Sequence, residues 1–578
     1  MKELWKNLKK VWPYAKEQKA ELILYVIFNI LGVIISVVVP ILSANIIVSL
    51  TTGEFTKLVL MAIIIFLVEN LRNFVHFYTR KFGMVIHRET FVKLQMKLGS
   101  EILKLENNSL DSVGTGVFIQ RLSNDTNHLA DIFNTLNLNL FNIITDIGIF
   151  GAVFLINKFA CLYLLIVMVI LYFIESTRTK IRNEKDKIFR KKQEKVSGFA
   201  TELVRGARDI KMLNSEDSFL KELDSSLIYL NQERYKMQNV DRRYGLLNGV
   251  VMDTSDLLLI LLLVFLIKND GLAIALALII YNYSNRITGI ITWIGIFLEN
   301  MKDFNLSSER VFAIMEDREF KKEKFGKKHL DKIEGNFEFK DVTFGYGDRT
   351  ILNHLSFHVN ANETVAFVGK SGVGKTTIFN LLCKMYEVND GIITIDGVDI
   401  KKLDKDSIRG NITIISQNPY IFNMSIKDNL RLVKHDLADE EMIEACRIAC
   451  LEDFIHELPL QYDTLLGEGG VTLSGGQKQR LAIARALIQK TEIILFDEAT
   501  SALDNETQSK IQDAIDNMKN EYTILIIAHR LSTIKNADRI LYIEDGRVLA
   551  EGSHEELLKS CTEYKKLYHS ELNKKINT

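Results

Sequence analysis

A glycine-rich loop in the C-terminal half of the chain has the residue types of a phosphate-binding site. In VGKSGVGKTTIF, Gly369 is followed after four residues by Gly374, Lys375 and Thr376. A short apolar strand pattern, TVAFVG, precedes the loop, and a helical pattern, TTIFNLLCKMY, follows it. In that context, backbone amides and a helix N-terminus can converge on an anion. We expect Lys375 to reach the terminal phosphates of a nucleotide and the Thr376 hydroxyl to hold Mg²⁺.

Two adjacent carboxylates follow a second strand pattern. In EIILFDEATSALD, Asp497 and Glu498 come directly after the apolar run IILF. Asp497 is placed to coordinate Mg²⁺, directly or through water, and Glu498 to act as general base for the attacking water. The alternative is that the two acids only stabilise a helix N-terminus through its dipole. The buried strand favours the catalytic interpretation.

A third motif lies at the start of an amphipathic helix. In VTLSGGQKQRLAIARAL, Ser474, Gly475 and Gly476 combine a hydroxyl, free amides and a helix N-terminus, which together form a second candidate anion site. The alternative is that Ser474 simply caps the helix. Two phosphate-binding loops in one chain suggest that each copy of the protein contacts the nucleotide of another copy.

The elements that must position these motifs differ sharply between the two halves. From about residue 22 to residue 304 the sequence is dominated by Ile, Leu, Val and Phe, whereas the rest is an ordinary soluble mixture. A helix needs about 20 apolar residues to cross the hydrocarbon core of a membrane. Six apolar runs of 16 or more residues are predicted as spans: 22–50, 58–77, 140–156, 159–174, 246–267 and 271–298.

Basic residues predict the orientation of these spans. They are concentrated in the N-terminal segment and in the two long connections, between spans two and three and between spans four and five. The three short connections carry only Lys57, Lys158 and Lys268. The positive-inside rule therefore places the N-terminus, both long connections and the C-terminal half in the cytoplasm. The long connections keep helical periodicity, which predicts that the spans continue into the cytoplasm, and residues 4–12 form an amphipathic segment at the inner surface.

Taken together, the six spans and the three motifs resemble a half-size ABC exporter over essentially all 578 residues. The resemblance implies a membrane α-helical domain of six transmembrane helices with long cytoplasmic extensions, followed by an α/β P-loop NTPase cassette with a helical subdomain. We expect the membrane domain at residues 1–316, a charged linker at 317–335 and the cassette at 336–578.

The same resemblance assigns roles to single residues. It implies that Tyr346 stacks on adenine, that Gln417 contacts Mg²⁺ and senses the membrane domain, and that Glu468 faces the coupling helices. It also implies that Asp504 belongs to a loop that crosses the dimer and that His529 contacts the terminal phosphate, beside the catalytic Glu498.

The expected binding sets follow from these motifs. The ATP-binding set is Tyr346, Gly369, Lys370, Ser371, Gly372, Val373, Gly374, Lys375, Thr376, Thr377 and Gln417. The metal set is Thr376, Gln417 and Asp497. The set that contacts ATP across a dimer is Ser474, Gly475, Gly476 and Gln477.

The resulting expectation is ATP-driven export of an amphiphilic drug, lipid or peptide from a bacterial cell by a multi-pass protein of the cell membrane. Two cassettes, from a second copy or a sister half-transporter, would close around two ATP molecules and turn the cavity from inward-facing to outward-facing. An ATP-gated channel or regulatory subunit is the alternative, and a mechanical ATPase without transport is the least favoured. The net charge of −1 gives no reason to expect nucleic acid as a partner.

Ionisable residues inside the apolar runs are the candidates for a substrate cavity: Glu69, Asp146, Asp253, Asp256 and Arg286. Counted from the outer ends of the spans, they lie roughly 15–22 Å deep. One hypothesis is a net acidic cavity that favours cationic or zwitterionic amphiphiles or basic peptides. The alternative is that Arg286 neutralises one acid while the others pair with backbone or lie in a water-filled vestibule.

Overall fold

The chain folds into two compact units. The computed structural model describes residues 2–51, 53–111, 113–347, 349–467, 469–497, 512, 515, 518–519, 521–527 and 535–576. The first unit comprises Met1–Leu103 and Gly114–Glu319, and the second comprises Lys104–Val113 and Phe320–Thr578. The last boundary between the units, after Glu319, falls inside the linker expected at 317–335. The short segment Lys104–Val113 packs with the second unit, which the sequence analysis did not anticipate.

The N-terminal half of the chain is helical, and one short helix of it, α4, belongs to the second unit. Its helices are α1 (Lys2–Ala15), α2 (Lys19–Thr51), α3 (Phe55–Ile102), α4 (Asn107–Asp111), α5 (Thr115–Gln120), α6 (Thr126–Ala130), α7 (Ile132–Ile156), α8 (Lys158–Arg205), α9 (Ala207–Met212), α10 (Glu216–Asn269) and α11 (Ile274–Met315). A π-helical turn, Arg121–Asp125, joins α5 to α6.

Within the described residues, six helical runs are long and apolar enough to cross a membrane: α2, α3, residues 115–156, α8, α10 and α11. The predicted number of spans is therefore confirmed. Helices α8 and α10 contain 48 and 54 residues. At about 1.5 Å per residue they are roughly 70–80 Å long, more than twice the ~30 Å hydrocarbon core. The apolar runs thus continue as unbroken helices beyond any membrane, as the periodicity of the long connections predicts.

Helix α1 is amphipathic and packs within the first unit. Its buried residues Leu4, Asn7, Val11 and Ala15 recur every three or four positions and so form one face. Asn7 Nδ2 donates a hydrogen bond of 2.9 Å to Asn305 Oδ1 on α11. The helix is thereby held on the C-terminal part of α11.

The second unit contains two β-sheets. Its strands are β1 (Phe337–Tyr346), β2 (Arg349–Val359), β3 (Thr364–Val368), β4 (Asp390–Ile395), β5 (Val398–Asp399), β6 (Ile412–Ile415), β7 (Ile493–Asp497), β8 (Thr523–Ile527), β9 (Arg539–Glu544) and β10 (Arg547–Gly552). The antiparallel sheet has the order β2-β1-β4-β5, and the larger sheet has the order β10-β9-β3-β8-β7-β6. In the larger sheet all neighbours pair in parallel except β10, which is antiparallel to β9.

The other described helices of the second unit accompany these two sheets. They are α12 (Lys375–Leu382), α13 (Lys405–Arg409), α14 (Ile426–Arg431), α15 (Asp439–Ile448), α16 (Glu452–Glu457), α17 (Gly475–Gln489), α18 (His554–Ser560) and α19 (Thr562–Ile576). Alternate residues of a strand point to opposite faces. In β3, Ala366 and Val368 pack into one apolar core, and Val365 and Phe367 into the other. Strand β3 is therefore anchored on both faces up to the residue where the glycine-rich loop begins.

Candidate functional site

The glycine-rich loop connects β3 to α12, as predicted. Its backbone has positive φ at Gly372 (84°) and Gly374 (103°). A Cβ atom at position 374 would lie only 2.6 Å from Cδ2 of Leu352. Glycine is therefore required there both by conformation and by space. The resulting tight curve directs the start of α12 towards the opening enclosed by the loop.

Lys375, the first residue of α12, is held against the loop. Only 5% of its surface is exposed. Its Nζ donates hydrogen bonds to the carbonyl oxygens of Gly369 (2.8 Å) and Lys370 (2.9 Å). A buried ammonium group next to a helix N-terminus forms a concentrated positive site for an anion.

A pocket of about 330 Å³ opens beside this ammonium group. Its lining residues are Tyr346, Arg349, Ile351, Ser371, Gly372, Gly374, Lys375, Thr376 and Thr377. Most of the expected ATP-binding set therefore lies together. Gly369, Lys370, Val373 and Gln417 are not part of the lining. Arg349 and Ile351, from β2, also line the pocket, although the sequence analysis did not name them. They lie there because β2 forms a hairpin with β1 in which Arg349 pairs directly with Tyr346.

Two of the expected metal ligands are brought together from distant parts of the sequence. Thr376 Oγ1 donates a hydrogen bond of 3.2 Å to Asp497 Oδ1. Asp497 ends β7 and is 7% exposed. The carboxyl ends of β3 and β7 lie at the same edge of the parallel sheet, which explains the contact. A hydroxyl and a carboxylate are hard oxygen ligands of the kind that Mg²⁺ prefers, so the donors present fit this ion.

Gln417 lies in the loop after β6, the strand that pairs with β7. Its side chain is exposed, whereas its backbone carbonyl oxygen accepts a hydrogen bond of 3.1 Å from Nε2 of Gln479 on α17. The loop that carries this predicted metal ligand is thus bound to the helix that follows the LSGGQ motif.

Tyr346 forms the rim of the pocket where a nucleotide base is expected. Its ring is 39% exposed and contacts Phe344 and Tyr386 edge to face, at centroid distances of 5.0 and 5.2 Å. The Tyr386 hydroxyl donates a hydrogen bond of 2.9 Å to Asp111 Oδ2 on α4. Burial and this hydrogen bond raise the pKa of Tyr386. Sequence reasoning missed both residues of the bond, because they are separated by 275 positions.

The LSGGQ motif forms a complete helix cap. The Ser474 side chain accepts from the backbone N–H of Gln477 (3.2 Å), and the Gln477 side chain accepts from the backbone N–H of Ser474 (2.8 Å). This reciprocal arrangement is a capping box at the start of α17. Ser474 and Gly475 are exposed and do not line the pocket beside Lys375. The capping alternative therefore describes a real contact, while anion binding by the motif stays a prediction.

A buried polar network that sequence reasoning also missed fixes the segment after Gln417. Asn429 donates from Nδ2 to the carbonyl oxygens of Phe422 (3.0 Å) and Met424 (3.1 Å), and its Oδ1 accepts from the backbone N–H of Phe422 (3.1 Å). Arg485 on α17 donates to the carbonyl oxygens of Tyr420 and Asn429, both at 2.9 Å, and to Oδ1 of Asn429. Burial lowers the pKa of Arg485. The available signal was the position of Asn429, which lies beside Leu430 and one turn after Ile426, the two apolar residues of α14.

Four predicted residues lie outside the part of the chain that the structure describes. They are Glu468, Glu498, Asp504 and His529. Their roles therefore remain predictions.

In the first unit, two of the candidate cavity acids form ion pairs. Asp146, 1% exposed, lies 3.3 Å from Nε of Arg286, and Glu69 pairs with Arg72 one turn further along α3. The pair between Asp146 and Arg286 is the contact that the alternative interpretation expected. Asp253 is exposed and Asp256 is half-buried. None of the five candidates lines a cavity of about 730 Å³ that opens between α2, α3 and α7.

Comparison with known proteins covers both units. The family described as "ABC transporter transmembrane region" matches residues 22–291, and the family described as "ABC transporter" matches residues 352–501. An uncharacterized ABC transporter ATP-binding protein, YfiC of Bacillus subtilis (strain 168), is 30% identical over 98% of this chain and 94% of its own length. An ATP-dependent lipid A-core flippase of Francisella tularensis subsp. tularensis (strain SCHU S4 / Schu 4) is 30% identical over 90% of this chain and 87% of its own.

A solved structure agrees with these matches. The structure of a bacterial Atm1-family ABC exporter with ATP bound superimposes with a TM-score of 0.82 and 25% identity, over 96% of this chain and 98% of that one. The predicted fold is therefore confirmed, with six helices of membrane-spanning length before a nucleotide-binding cassette. The chain belongs to the ABC transporters, as a half-size exporter that fuses one membrane domain to one ATP-hydrolysing cassette.

Proposed function

We propose that two copies of this chain assemble into an exporter that moves an amphiphilic substrate outwards by alternating access. The observation that carries the proposal is a pocket lined by Lys375 and by Thr376, whose hydroxyl is hydrogen-bonded to Asp497. The other unit of the same chain contains six helical runs of membrane-spanning length within the described residues. The homodimer is supported by the separation of the LSGGQ motif from that pocket within a single chain.

In the proposed cycle, each ATP is held by the Lys375 loop of one copy and the Ser474 loop of the other. Closure of the two cassettes turns the membrane cavity outwards. Glu498 then activates the attacking water, and His529 contacts the terminal phosphate. Phosphate release lets the cassettes separate, and the cavity returns to its inward-facing state.

Mg²⁺ is part of this proposal. Thr376, Asp497 and Gln417 would hold the ion, which neutralises charge that develops on the phosphate oxygens when it is bound. The hydrogen bond between Thr376 and Asp497 orients two of these ligands before any ion arrives. Replacing Asp497 with Asn would keep the hydrogen bond and remove the charge.

The same proposal places the chain in a bacterial cell membrane with the cassette in the cytoplasm, because the basic residues are concentrated on that side. Named relatives include a lipid A-core flippase and a β-(1→2)glucan exporter of Rhizobium johnstonii, which is 37% identical over 54% of this chain. Lipid-linked and glycan substrates therefore deserve testing beside drugs and peptides.

The test uses the purified full chain in lipid discs. We expect ATP turnover that Glu498→Gln reduces at least 100-fold, since the general base is lost, while exposed Glu521→Gln leaves it unchanged. Turnover that survives Glu498→Gln would contradict the assigned mechanism. Well-folded protein without turnover would contradict a self-sufficient homodimer and indicate a missing sister chain or an obligatory substrate. ATP-dependent accumulation of a substrate in inverted vesicles against its gradient would separate an exporter from an ATP-gated channel.

A further inference from the structure

The cavity between α2, α3 and α7 has the size of a ligand site. Its volume is about 730 Å³, within the range of small-molecule sites. Its walls come from residues 25–36 of α2, 75–84 of α3 and 131–145 around the start of α7. At about 1.5 Å per residue the α2 wall is roughly 16 Å long. The cavity can therefore hold a polar headgroup together with the first part of an attached apolar chain.

Much of the lining can form hydrogen bonds. Amide side chains from two helices contribute to it: Asn29, Asn134, Asn137 and Asn142. An amide can both donate and accept, which suits hydroxyl and amide groups of a ligand. Asn134 already accepts from the Tyr25 hydroxyl (3.0 Å) and donates to Asp131, so the ligand would use the other three amides. The rings of Phe28 and Phe141 provide apolar surface beside them. The lining is thus amphipathic.

Arg80 gives the lining a positive charge at one end. His76 lies one helical turn before it on α3, and both residues line the cavity. Arg80 has no ion-pair or hydrogen-bond partner within the part of the chain that the structure describes. Asp131 is the one carboxylate among the lining residues, and its two oxygens already accept hydrogen bonds from Asn134 (3.1 Å) and Thr135 (3.2 Å).

The depth of this positive end matches that of lipid headgroups. Counted from residue 58, where the second predicted span begins, His76 and Arg80 lie about 27 and 33 Å along α3. The hydrocarbon core is about 30 Å thick. In the proposed orientation, both side chains lie at the cytoplasmic boundary of the membrane.

We propose that this cavity binds the headgroup of an anionic amphiphile taken from the cytoplasmic leaflet. Arg80, with His76, receives the phosphate or carboxylate group, the amides bind hydroxyl groups of the head, and the apolar part lies against Phe28 and Phe141. This inference rests on the exporter function proposed above and assigns its substrate class. It opposes the acidic-cavity hypothesis, which favours cations.

Three probes with the same dodecyl chain separate these possibilities: dodecyl phosphate, dodecyl maltoside and dodecyltrimethylammonium. Stimulation of ATP turnover is measured with the full chain in phosphatidylcholine discs, at concentrations that leave the discs intact. We expect dodecyl phosphate to stimulate at the lowest concentration. Equal or stronger stimulation by dodecyltrimethylammonium would overturn the proposal. Half-maximal competition by inorganic phosphate at a similar concentration would also overturn it, since the site would then bind a free anion.

Arg80→Gln tests the residue, and Lys81→Gln is the matched control. The Lys81→Gln substitution removes the same charge at the same depth. The Lys81 side chain does not line the cavity, and its Nζ lies over the Tyr78 ring. We expect Arg80→Gln to raise the half-maximal concentration of dodecyl phosphate about tenfold, as for loss of a charged hydrogen bond, without affecting dodecyl maltoside. Equal responses of the two variants would refute the assignment. If the unchanged chain showed no ATP turnover with or without the probes, the proposed function itself would be contradicted.

Discussion

Asn429→Ala is the substitution for which the structure predicts the clearest loss. The Asn429 side chain is fully buried and makes contacts that no other residue replaces. Its truncation removes the acceptor of the Phe422 N–H and the donor to three backbone carbonyl oxygens. Arg485 loses one of its three acceptors. The segment after Gln417 is therefore left with unsatisfied polar groups in a buried site.

The expected magnitude follows from those contacts. A buried donor or acceptor without a partner costs about 1–3 kcal/mol. One orphaned N–H, with the weakened carbonyl and guanidinium contacts, gives a loss of about 2–4 kcal/mol in the free energy of unfolding of the second unit. For domains of about 150–250 residues, each kcal/mol shifts Tm by about 2–4 °C. We therefore expect the second unit to melt roughly 5–12 °C lower.

Catalysis should change together with stability. The segment that Asn429 and Arg485 hold follows Gln417 directly, while the pocket around Lys375 is formed by other elements. We expect kcat for ATP to fall by at least tenfold and KM to change little, because the loop carrying a metal ligand is loosened while the phosphate loop is intact. Asn429→Asp keeps the acceptor and loses the donor, so it should be intermediate.

Thermal unfolding of the full chain in lipid discs gives the measurement. The transition whose midpoint rises with added ATP belongs to the second unit, since ligand binding stabilises the folded state. Asn360→Ala serves as the control because Asn360 is exposed. A midpoint for Asn429→Ala within about 1 °C of that of the unchanged chain, with unchanged kcat, would refute the reasoning.

Three further predictions concern single contacts. Tyr386→Phe removes the hydrogen bond to Asp111, worth about 1 kcal/mol, so amide hydrogen exchange in α4 should accelerate about fivefold, and an unchanged rate would show that the bond contributes nothing. The hydrogen bond and charge of Asp404 raise the pKa of His329, so the pair stabilises the fold at low pH and loses this effect as pH rises through the folded pKa. NMR titration of His329 should give a pKa above 6.5 that Asp404→Asn lowers, and a pKa that does not respond to this substitution would contradict the assignment. Gly374→Ala combines positive φ with a steric clash, so binding of a fluorescent ATP analogue should be abolished, and near-normal affinity would refute the stated role of the loop.

Local patterns were sufficient where function depends on neighbouring residues. The spacing from Gly369 to Thr376 predicted the loop between β3 and α12, because a strand, a tight turn and a helix N-terminus are contiguous in sequence. The six spans were equally predictable, since the length and composition of a membrane helix are local properties. Helical periodicity also predicted that α8 and α10 extend far beyond their apolar parts.

Long-range pairing set the limit of prediction. The bond between Tyr386 and Asp111 joins residues 275 positions apart, and Arg485 reaches Asn429 across 56 positions. No periodicity encodes which polar side chains will meet after folding. The ionisable residues of the membrane half illustrate this point. The sequence was compatible with a net acidic cavity and with an acid neutralised by Arg286, and only the fold shows Asp146 beside Arg286, 140 positions away.

The covalent path of the chain connects the two units at three points. The chain passes between them after Leu103, after Val113 and after Glu319. Helix α4, whose Asp111 accepts the hydrogen bond from Tyr386 beside the pocket rim, is separated from α3 by only four non-helical residues, 103–106. Helix α3 is unbroken from Ile102 back to Arg80, a distance of about 33 Å, and helices resist bending unless a specific defect interrupts them. A displacement of α4 can therefore be transmitted along the chain, through these four residues and α3, to the wall of the cavity. This covalent route connects the base end of the nucleotide pocket to the residues that we assign to the substrate.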